Sequence, residues 1–284
     1  MKIRSKILIT AAVVTTLFVG CASSQKNQEH EMSTNKNKVI ELLNSIQTGD
    51  TGPVRYINEK NYTQHNLAVK DGIQGFGEIL SLLPKGSAKV KVVRSFQDGD
   101  YVFTHTKYNF FGPKAGFDIF RFEDGKIVEH WDNLQEIVEK TASGRTQFDG
   151  ETNVTDRDKT ESNKTLIKNF LFDVLLGNNP SKITQYISTE KYLQHNPHIK
   201  DGLAGLGEAI ENLNKANMPM KYEKNHILLG EGSFVLSVSE GLFMNKHVSF
   251  YDLFRIEDGK IVEHWDTIEE ILPKDKWQNT NGKF

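Results

Sequence analysis

The sequence predicts an α+β protein in which one domain is built twice. Three observations predict it. The chain has 284 residues, enough for two domains of ordinary size. Its two halves repeat each other. Asn61-Tyr62-Thr63-Gln64-His65-Asn66 returns as Lys191-Tyr192-Leu193-Gln194-His195-Asn196, Lys70 to Glu78 returns as Lys200 to Glu208, and Phe117 to Ile137 returns as Tyr251 to Ile271. Within that last segment EDGKIVEHWD is identical, from Glu123 to Asp132 and from Glu257 to Asp266. Finally, helical periodicity opens each copy and strand patterns close it, the order of an α+β domain. The period is too long for a solenoid and fits a duplicated domain.

Taken in order, a helix is expected from Asn37 to Gln47 and from Asn163 to Leu176, where Leu166, Phe170 and Val174 recur at helical spacing. The Tyr-x-Gln-His-Asn segment follows. The Asp-Gly-x-x-Gly part leads into a second helix, Phe76 to Leu83 and Leu206 to Leu213. Strands Lys89 to Phe96 and Tyr101 to Tyr108 flank a hairpin signal at 97–100. Phe117 to Phe122 and Lys126 to Trp131 flank Asp124-Gly125, the strongest short hairpin signal. Domain 1 is expected over 37–139 and domain 2 over 163–274, joined by a polar linker over 140–162 and followed by a tail over 275–284. Phe148 is the one large apolar residue of the linker and could pin it to a domain surface.

The N-terminus has its own logic. Lys2, Arg4 and Lys6 precede an uncharged, mostly apolar run from Ile7 to Gly20, too short to span a bilayer comfortably. This reads as a secretory signal. Leu17-Phe18-Val19-Gly20-Cys21 resembles a bacterial lipobox, with Phe18 where Leu is usual. The resemblance implies lipidation of Cys21, the only cysteine, and anchoring to the cell envelope, at the outer membrane if the host is Gram-negative. Acyl chains would hold a soluble domain on a membrane. Residues 21–36 read as a flexible tether. The net charge of −2 gives no electrostatic reason to expect nucleic acid.

Tyr-x-Gln-His-Asn, Asp-Gly-x-x-Gly and Asp-x-Phe-Arg-x-x-x-Gly-Lys-Ile-Val-Glu-His-Trp-Asp together resemble the SnoaL-like polyketide cyclases of the nuclear-transport-factor-2-like superfamily. The resemblance covers each repeat from first helix to last strand. It implies two tandem cone-shaped domains, each a curved antiparallel sheet wrapped around helices and enclosing a mostly apolar pocket. It also implies aldol-type cyclase or isomerase chemistry without cofactor or metal, although the superfamily includes non-enzymes. In the cyclase pattern a strand histidine and the aspartate of Asp-x-Phe-Arg react together, which places the catalytic pair at His105 and Asp118. Such chemistry needs a base beside a carbonyl and donors for the enolate.

A two-residue turn at Asp124-Gly125 pairs Phe122 with Ile127, Phe120 with Glu129 and Asp118 with Trp131, giving one face with Asp118, Phe120, Phe122, Ile127, Glu129 and Trp131. Ile119, Arg121, Val128, His130 and Asp132 fall on the other face, where an Arg121–Asp132 pair near His130 reads as structural. Tyr101, Phe103 and His105 share a face of the preceding strand. The expected ligand-binding set is Gln64, His65, Phe103, Phe120, Glu129, Trp131, Gln194, His195, Asp252 and Trp265. Val238 stands where His105 would recur, so the two pockets are expected to differ there. No His-x-His or His-Glu-x-x-His spacing marks a metal site. The expected partners are a small apolar carbonyl-type ligand and the membrane, with the repeats forming a pseudo-dimer through their outer sheet faces. Non-catalytic capture of a small molecule, or a purely structural role, stands beside the enzyme reading.

Overall fold

The computed structural model describes residues 34–83 and 86–284. The secretory signal, Cys21 and most of the expected tether lie outside the described residues. Among those described, no helix is long and apolar enough to cross a membrane.

The repeats share one element order, except that a 3-10 turn at Gly52–Tyr56 in the first stands where the second has a short α-helix. In the first, helix α1 (34–48) begins inside the span read as tether. A two-residue strand β1 (Thr63–Gln64), helix α2 (Gly72–Leu82) and four long strands follow: β2 (Lys89–Asp98), β3 (Tyr101–Asn109), β4 (Pro113–Glu123) and β5 (Lys126–Glu136). The second repeat runs α3 (Thr160–Phe170), α4 (Ile183–Tyr186), β6 (Leu193–Gln194), α5 (Gly202–Lys215), β7 (Met220–Glu231), β8 (Phe234–Phe243), β9 (Lys246–Glu257) and β10 (Lys260–Glu270). The sheets are ordered β1-β5-β4-β3-β2 and β6-β10-β9-β8-β7. The four long strands of each are antiparallel; the short strand pairs parallel to the last one. This is the α+β class expected.

Asp124-Gly125 and Asp258-Gly259 turn the last hairpins with both residues at positive φ, the twist-matched turn that Asp-Gly favours. The register beyond the turn corrects the expected face assignment. Phe122 pairs with Ile127, but then Arg121 pairs with Glu129, Phe120 with His130, Ile119 with Trp131 and Asp118 with Asp132. Val128 is the extra residue of a β-bulge, and Val262 is its counterpart. One inserted residue flips every later side chain to the other face. His130 and Asp132 therefore lie with Asp118 and Phe120 on the inner face, under the helices. Glu129 and Trp131 lie on the outer face, and Arg121 pairs with Glu129 (Nε to Oε2, 2.7 Å) rather than with Asp132.

The two outer faces pack against each other. Phe96, Phe103, Phe117, Ile119 and Trp131 of the first sheet form one buried cluster with Leu229, Phe234, Leu236, Val238, Tyr251, Leu253 and Trp265 of the second. Burying each such side chain contributes about 1.5–3 kcal/mol. A surface ion pair contributes about 0–1 kcal/mol, so apolar burial dominates this contact. The inner faces carry separate cores beneath the helices, with Val39, Leu42 and Leu43 of α1 against Phe120 and Phe122, and Ile167 and Phe170 of α3 against Phe254 and Ile256.

The span read as a linker is docked along its length, and it matches the tail. After β5, residues 142–148 cross onto the second repeat. The Ala142 N–H donates to Pro197 O, Ser143 Oγ to Gln194 O, and His195 Nδ1 meets Thr146 O at 2.8 Å. After β10, residues 278–284 cross back. The Gln278 N–H donates to Leu67 O, Asn281 Nδ2 to Gln64 O, and His65 Nδ1 meets Gly282 O at 2.9 Å. Each repeat thus lends the other a strap. Phe148 stacks on His105 and Phe284 on His226.

Gly150 closes the first strap at φ +93°, where an added Cβ would lie 2.0 Å from Glu263 Oε1 and 2.8 Å from Trp265. Gly144 also has positive φ but faces nothing within 4 Å. Gly150→Ala should cost about 2 kcal/mol or more, from overpacking added to backbone strain. Gly144→Ala should cost about 1 kcal/mol. Urea unfolding of both variants checks the ordering; equal losses would contradict the docked strap.

Candidate functional site

The Tyr-x-Gln-His-Asn segment divides its side chains between the two faces. In the first repeat the backbone N–H of Gln64 donates to Asp71 Oδ1 (2.9 Å), which ties the segment to the start of α2. Gln64 and Asn66 reach the inner face. There Gln64 Oε1 accepts from the Asn66 N–H (2.8 Å), so the amide is oriented by the backbone. His130 Nδ1 lies 3.0 Å from the same oxygen. An acceptor already receiving a backbone N–H requires His130 to donate from Nδ1, and this leaves Nε2 facing inward. It lies 3.5 Å from Asp118 Oδ1. Tyr108 donates its hydroxyl to Asp118 Oδ2 (2.6 Å) and Thr104 does so at 3.2 Å. Asn66 Nδ2 holds Asp132 Oδ2 at 2.7 Å.

The second repeat repeats this arrangement. Gln194 Oε1 accepts from the backbone N–H groups of His195 and Asn196, each at 3.0 Å. His264 donates from Nδ1 to it (2.9 Å) and sets Nε2 3.0 Å from Asp252 Oδ1. Asn196 holds Asp266 Oδ2 at 2.6 Å, and Tyr222 reaches Asp252 at 3.1 and 3.2 Å.

The two tyrosines do not occupy matching positions. Tyr108 is on β3 opposite Val90, while Tyr222 is on β7 opposite Gly241. Gly241 therefore matches Tyr108 and Tyr222 matches Val90. The neighbouring volume is exchanged as well. Gly116, where a Cβ would press on Tyr108 at 2.8 Å, is matched by Phe250, which stacks on Tyr222 at 4.2 Å. The phenol reaches the aspartate from a different strand in each repeat, yet the contact is kept.

Of the residues expected in the pocket, Gln64, Phe120, Asp118, Gln194 and Asp252 are on the inner face. Phe120 stacks on His130 at 4.6 Å. The others face the contact between repeats. Phe103, Trp131 and Trp265 belong to its apolar cluster. His65 stacks on Trp131 and bonds Glu129 Oε1 (2.9 Å); His195 does the same with Trp265 and Glu263. Burial would raise the Glu263 carboxyl, but hydrogen bonds from His195 and Arg255 more than offset this and hold it below its ordinary range.

His105 and Asp118 are not brought together. His105 pairs with Phe117, while Asp118 pairs with Thr104, and adjacent residues on a strand point to opposite faces. His105 is buried against Phe117 and Phe148 and meets Arg94 Nη1 at 3.1 Å. Burial, Arg94 and His195 all push its imidazole well below its ordinary pKa. Arg94 also donates to the carbonyls of Phe148, Asp149 and Glu151 and so anchors the strap. In the second repeat Ile227 and Val238 form the matching cross-strand pair. The loss of His105 at Val238 exchanges a buried polar pair for an apolar one within the interface. The inner faces keep their aspartates, histidine and phenol.

Sequence reasoning missed His130, His264, Asp132, Asp266 and Tyr108. The register argument moved His130 and Asp132 to the wrong face because nothing in Lys-Ile-Val-Glu-His distinguishes a bulged valine from a paired one. The recurrence of Gln with Asn two residues later, and of His with Asp two residues later, was the signal that could have linked them.

No described protein family matches the chain, and no curated protein does. Solved structures similar to it include TsrD from Streptomyces laurentii (18% identity, 36% of this chain and 89% of that one, TM-score 0.32). An NTF2-like protein from Cytophaga hutchinsonii shares 17% identity over 36% and 89% of the two chains, with TM-score 0.32. A protein assigned as a SnoaL-like polyketide cyclase from Jannaschia shares 14% over 37% and 87%, with TM-score 0.31. Each likeness is one of fold and spans about one repeat.

Burial pushes the Asp266 carboxyl up to about 6, with the Asp252 charge adding to it and His264 opposing it. Burial would lower His264, but its bond to Asp252 and the charges of Asp266 and Asp252 outweigh this and raise it. Both raised groups favour the protonated folded state: the contribution of Asp266 is full below about 4 and is lost as pH rises through about 6, and that of His264 is lost only at higher pH, above its ordinary range. The Asp266 rise corresponds to about 3 kcal/mol. In chelator-treated protein, Asp266→Asn should be more stable than the parent by about 2–3 kcal/mol at pH 7 and equal to it near pH 4. Denaturant unfolding at the two pH values reads this, and a pH-independent difference would refute it.

Proposed function

We propose that the chain is a membrane-anchored protein of the SnoaL-like, nuclear-transport-factor-2-like kind that takes a small apolar carbonyl compound on the inner face of the first repeat. Asp118 and His130 there form the acid/base pair. The observation carrying this reading is the kept phenol–aspartate contact. Two repeats that moved the tyrosine to a neighbouring strand nevertheless hold it on the same carboxylate, beside the same oriented histidine. A structural packing need alone would be met by the apolar residues that surround it.

The chemistry follows from the atoms. Tyr108 and Thr104 occupy Asp118 Oδ2 and leave Oδ1 toward His130 Nε2. Gln64 fixes Nδ1 as a donor, so only Nε2 exchanges a proton with Asp118. A carboxylate in this buried setting is suited to remove a proton beside a carbonyl, and once Asp118 carries that proton the one Tyr108 O–H can turn from Oδ2 to the resulting oxyanion. The shared apolar cluster and the exchanged straps support reading the repeats as a pseudo-dimer within one chain. The lipobox resemblance supports a location at the cell envelope. That location also favours the second reading, in which the same inner face captures a ligand without turnover.

Proton–deuterium exchange of a simple 1,3-diketone in D2O tests the pair. Asp118→Asn should slow exchange by about 100-fold or more, as expected for loss of a general base, whereas His105→Val should leave it unchanged. Exchange that is insensitive to Asp118 removes the enzyme reading. A co-purifying small molecule found by mass spectrometry in that case would leave the binding one.

A further inference from the structure

The inner sites of the two repeats share their carboxylates and histidine but differ in what neutralises them. In each, one atom from each of three residues lies within 4.8 Å of the others: Asp118, His130 and Asp132 in the first, Asp252, His264 and Asp266 in the second. In the first repeat the strap from β10 brings Lys283, itself buried, onto this cluster. Its ammonium donates to Asp132 O at 2.9 Å, stands 4.0 Å from Asp132 Oδ1 and pairs with Glu269. The matching strap position on the second repeat is Gln147. It is neutral, and its Oε1 accepts from the Val138 N–H. Glu269 is likewise matched by Gln135. The second cluster thus has two carboxylates, one histidine and no lysine delivered by a strap.

Both clusters have polar atoms without a hydrogen bond: in the first these are His130 Nε2 and Asp132 Oδ1, and Lys283 faces the latter at 4.0 Å, whereas in the second no strap lysine stands by. Asp266 is 7% exposed and its Oδ1 has no hydrogen-bond partner. Ser237 is fully buried and sits directly across from Asp252, and its Oγ has none either. Its counterpart Thr104 donates to Asp118. Orphaned buried polar atoms of this kind are rare, and a bound ion or ordered water is what satisfies them. His264 is oriented as metal-ligating histidines are. Its Nδ1–H is committed to an oxygen that two backbone N–H groups hold in place, and Nε2 is presented to the cluster.

We propose that the second repeat holds a divalent first-row metal cation between Asp252, His264 and Asp266. Mixed imidazole and carboxylate ligation suits zinc, manganese or ferrous iron, and three protein ligands leave a position open for a water or substrate oxygen. The sequence gives little warning, because the ligands come from two strands and only His264-x-Asp266 is local. The site is separate from the acid/base pair assigned to the first repeat, and metal binding is read without turnover, so either assignment can fail alone.

Isothermal titration of the chelator-treated full chain with Zn2+ tests it, alongside the visible spectrum with Co2+ as the only metal. The expected result is one ion per chain, with Zn2+ affinity weakened 10-fold or more in both Asp266→Asn and His264→Gln and unchanged in Asp132→Asn. The Co2+ absorption of the parent should carry the intensity of a four- or five-coordinate site, a readout independent of how well the variants fold. Absence of binding overturns the proposal. So does binding that survives Asp266→Asn and His264→Gln, or binding lost in Asp132→Asn instead.

Discussion

The apolar contact between the two outer sheet faces is the constraint on which the rest of the molecule depends. It gives both faces of each sheet something to cover them, one the partner sheet and the other its own helices. Strand alternation then assigns every residue to the interface or to an inner site. Trp131 and Trp265 belong to the interface cluster and are the surfaces on which His65 and His195 stack. Near the pseudo-axis Asn133 donates to Thr267 O and Oγ1, at 2.9 and 3.0 Å, and Ser249 donates to Asn133, so these three side chains are bonded across the repeats. The straps follow from the same contact, since the segment leaving either last strand emerges beside the other repeat.

The identical stretch EDGKIVEHWD can now be accounted for almost residue by residue. Asp-Gly makes the turn, and the valine is the bulge. Glutamate turns outward to a histidine and an arginine. Histidine turns inward to a glutamine and an aspartate, tryptophan outward to the interface, and the final aspartate inward to an asparagine. From Glu129 to Asp132 the outward and inward contacts are interleaved, so a change at one position disturbs a different layer from a change at the next. Divergence went instead to positions with a compensating neighbour: Tyr108 and Val90 against Gly241 and Tyr222, Arg94 and His105 against Ile227 and Val238, Lys283 against Gln147. The first swap keeps aromatic volume balanced locally, the second exchanges a buried polar pair for an apolar one within the interface, and the last changes the electrostatics of one inner site only.

Much of the fold was legible. The duplication, the helix-then-strand order and the Asp-Gly hairpins stand in the sequence because they rest on local chemistry: periodicity, turn conformation and self-similarity. The inner site was legible in part. Asp118, Asp252, Gln64, Gln194 and Phe120, expected in the pocket, lie on the inner face. The place of His105 was not legible, because a strand's two faces are chemically alike when both are buried: Phe103 and His105 face the other repeat, while Val102 and Thr104 face the helices.

By itself the sequence determined the domain count, the fold class, the hairpin turns and the inventory of carboxylates, histidines and amides from which a site could be made. The tertiary structure alone decided which of them meet. One bulged valine per repeat shifts the last strand by a residue and exchanges His130 and Asp132 for Glu129 and Trp131 on the inner face, and no local residue preference announces such a bulge. The straps are nonlocal too. That Lys283 reaches Asp132, 151 residues away in the chain, depends on how two separately folded halves bury their outer faces, and burial is a property of the packed whole that no window of sequence contains.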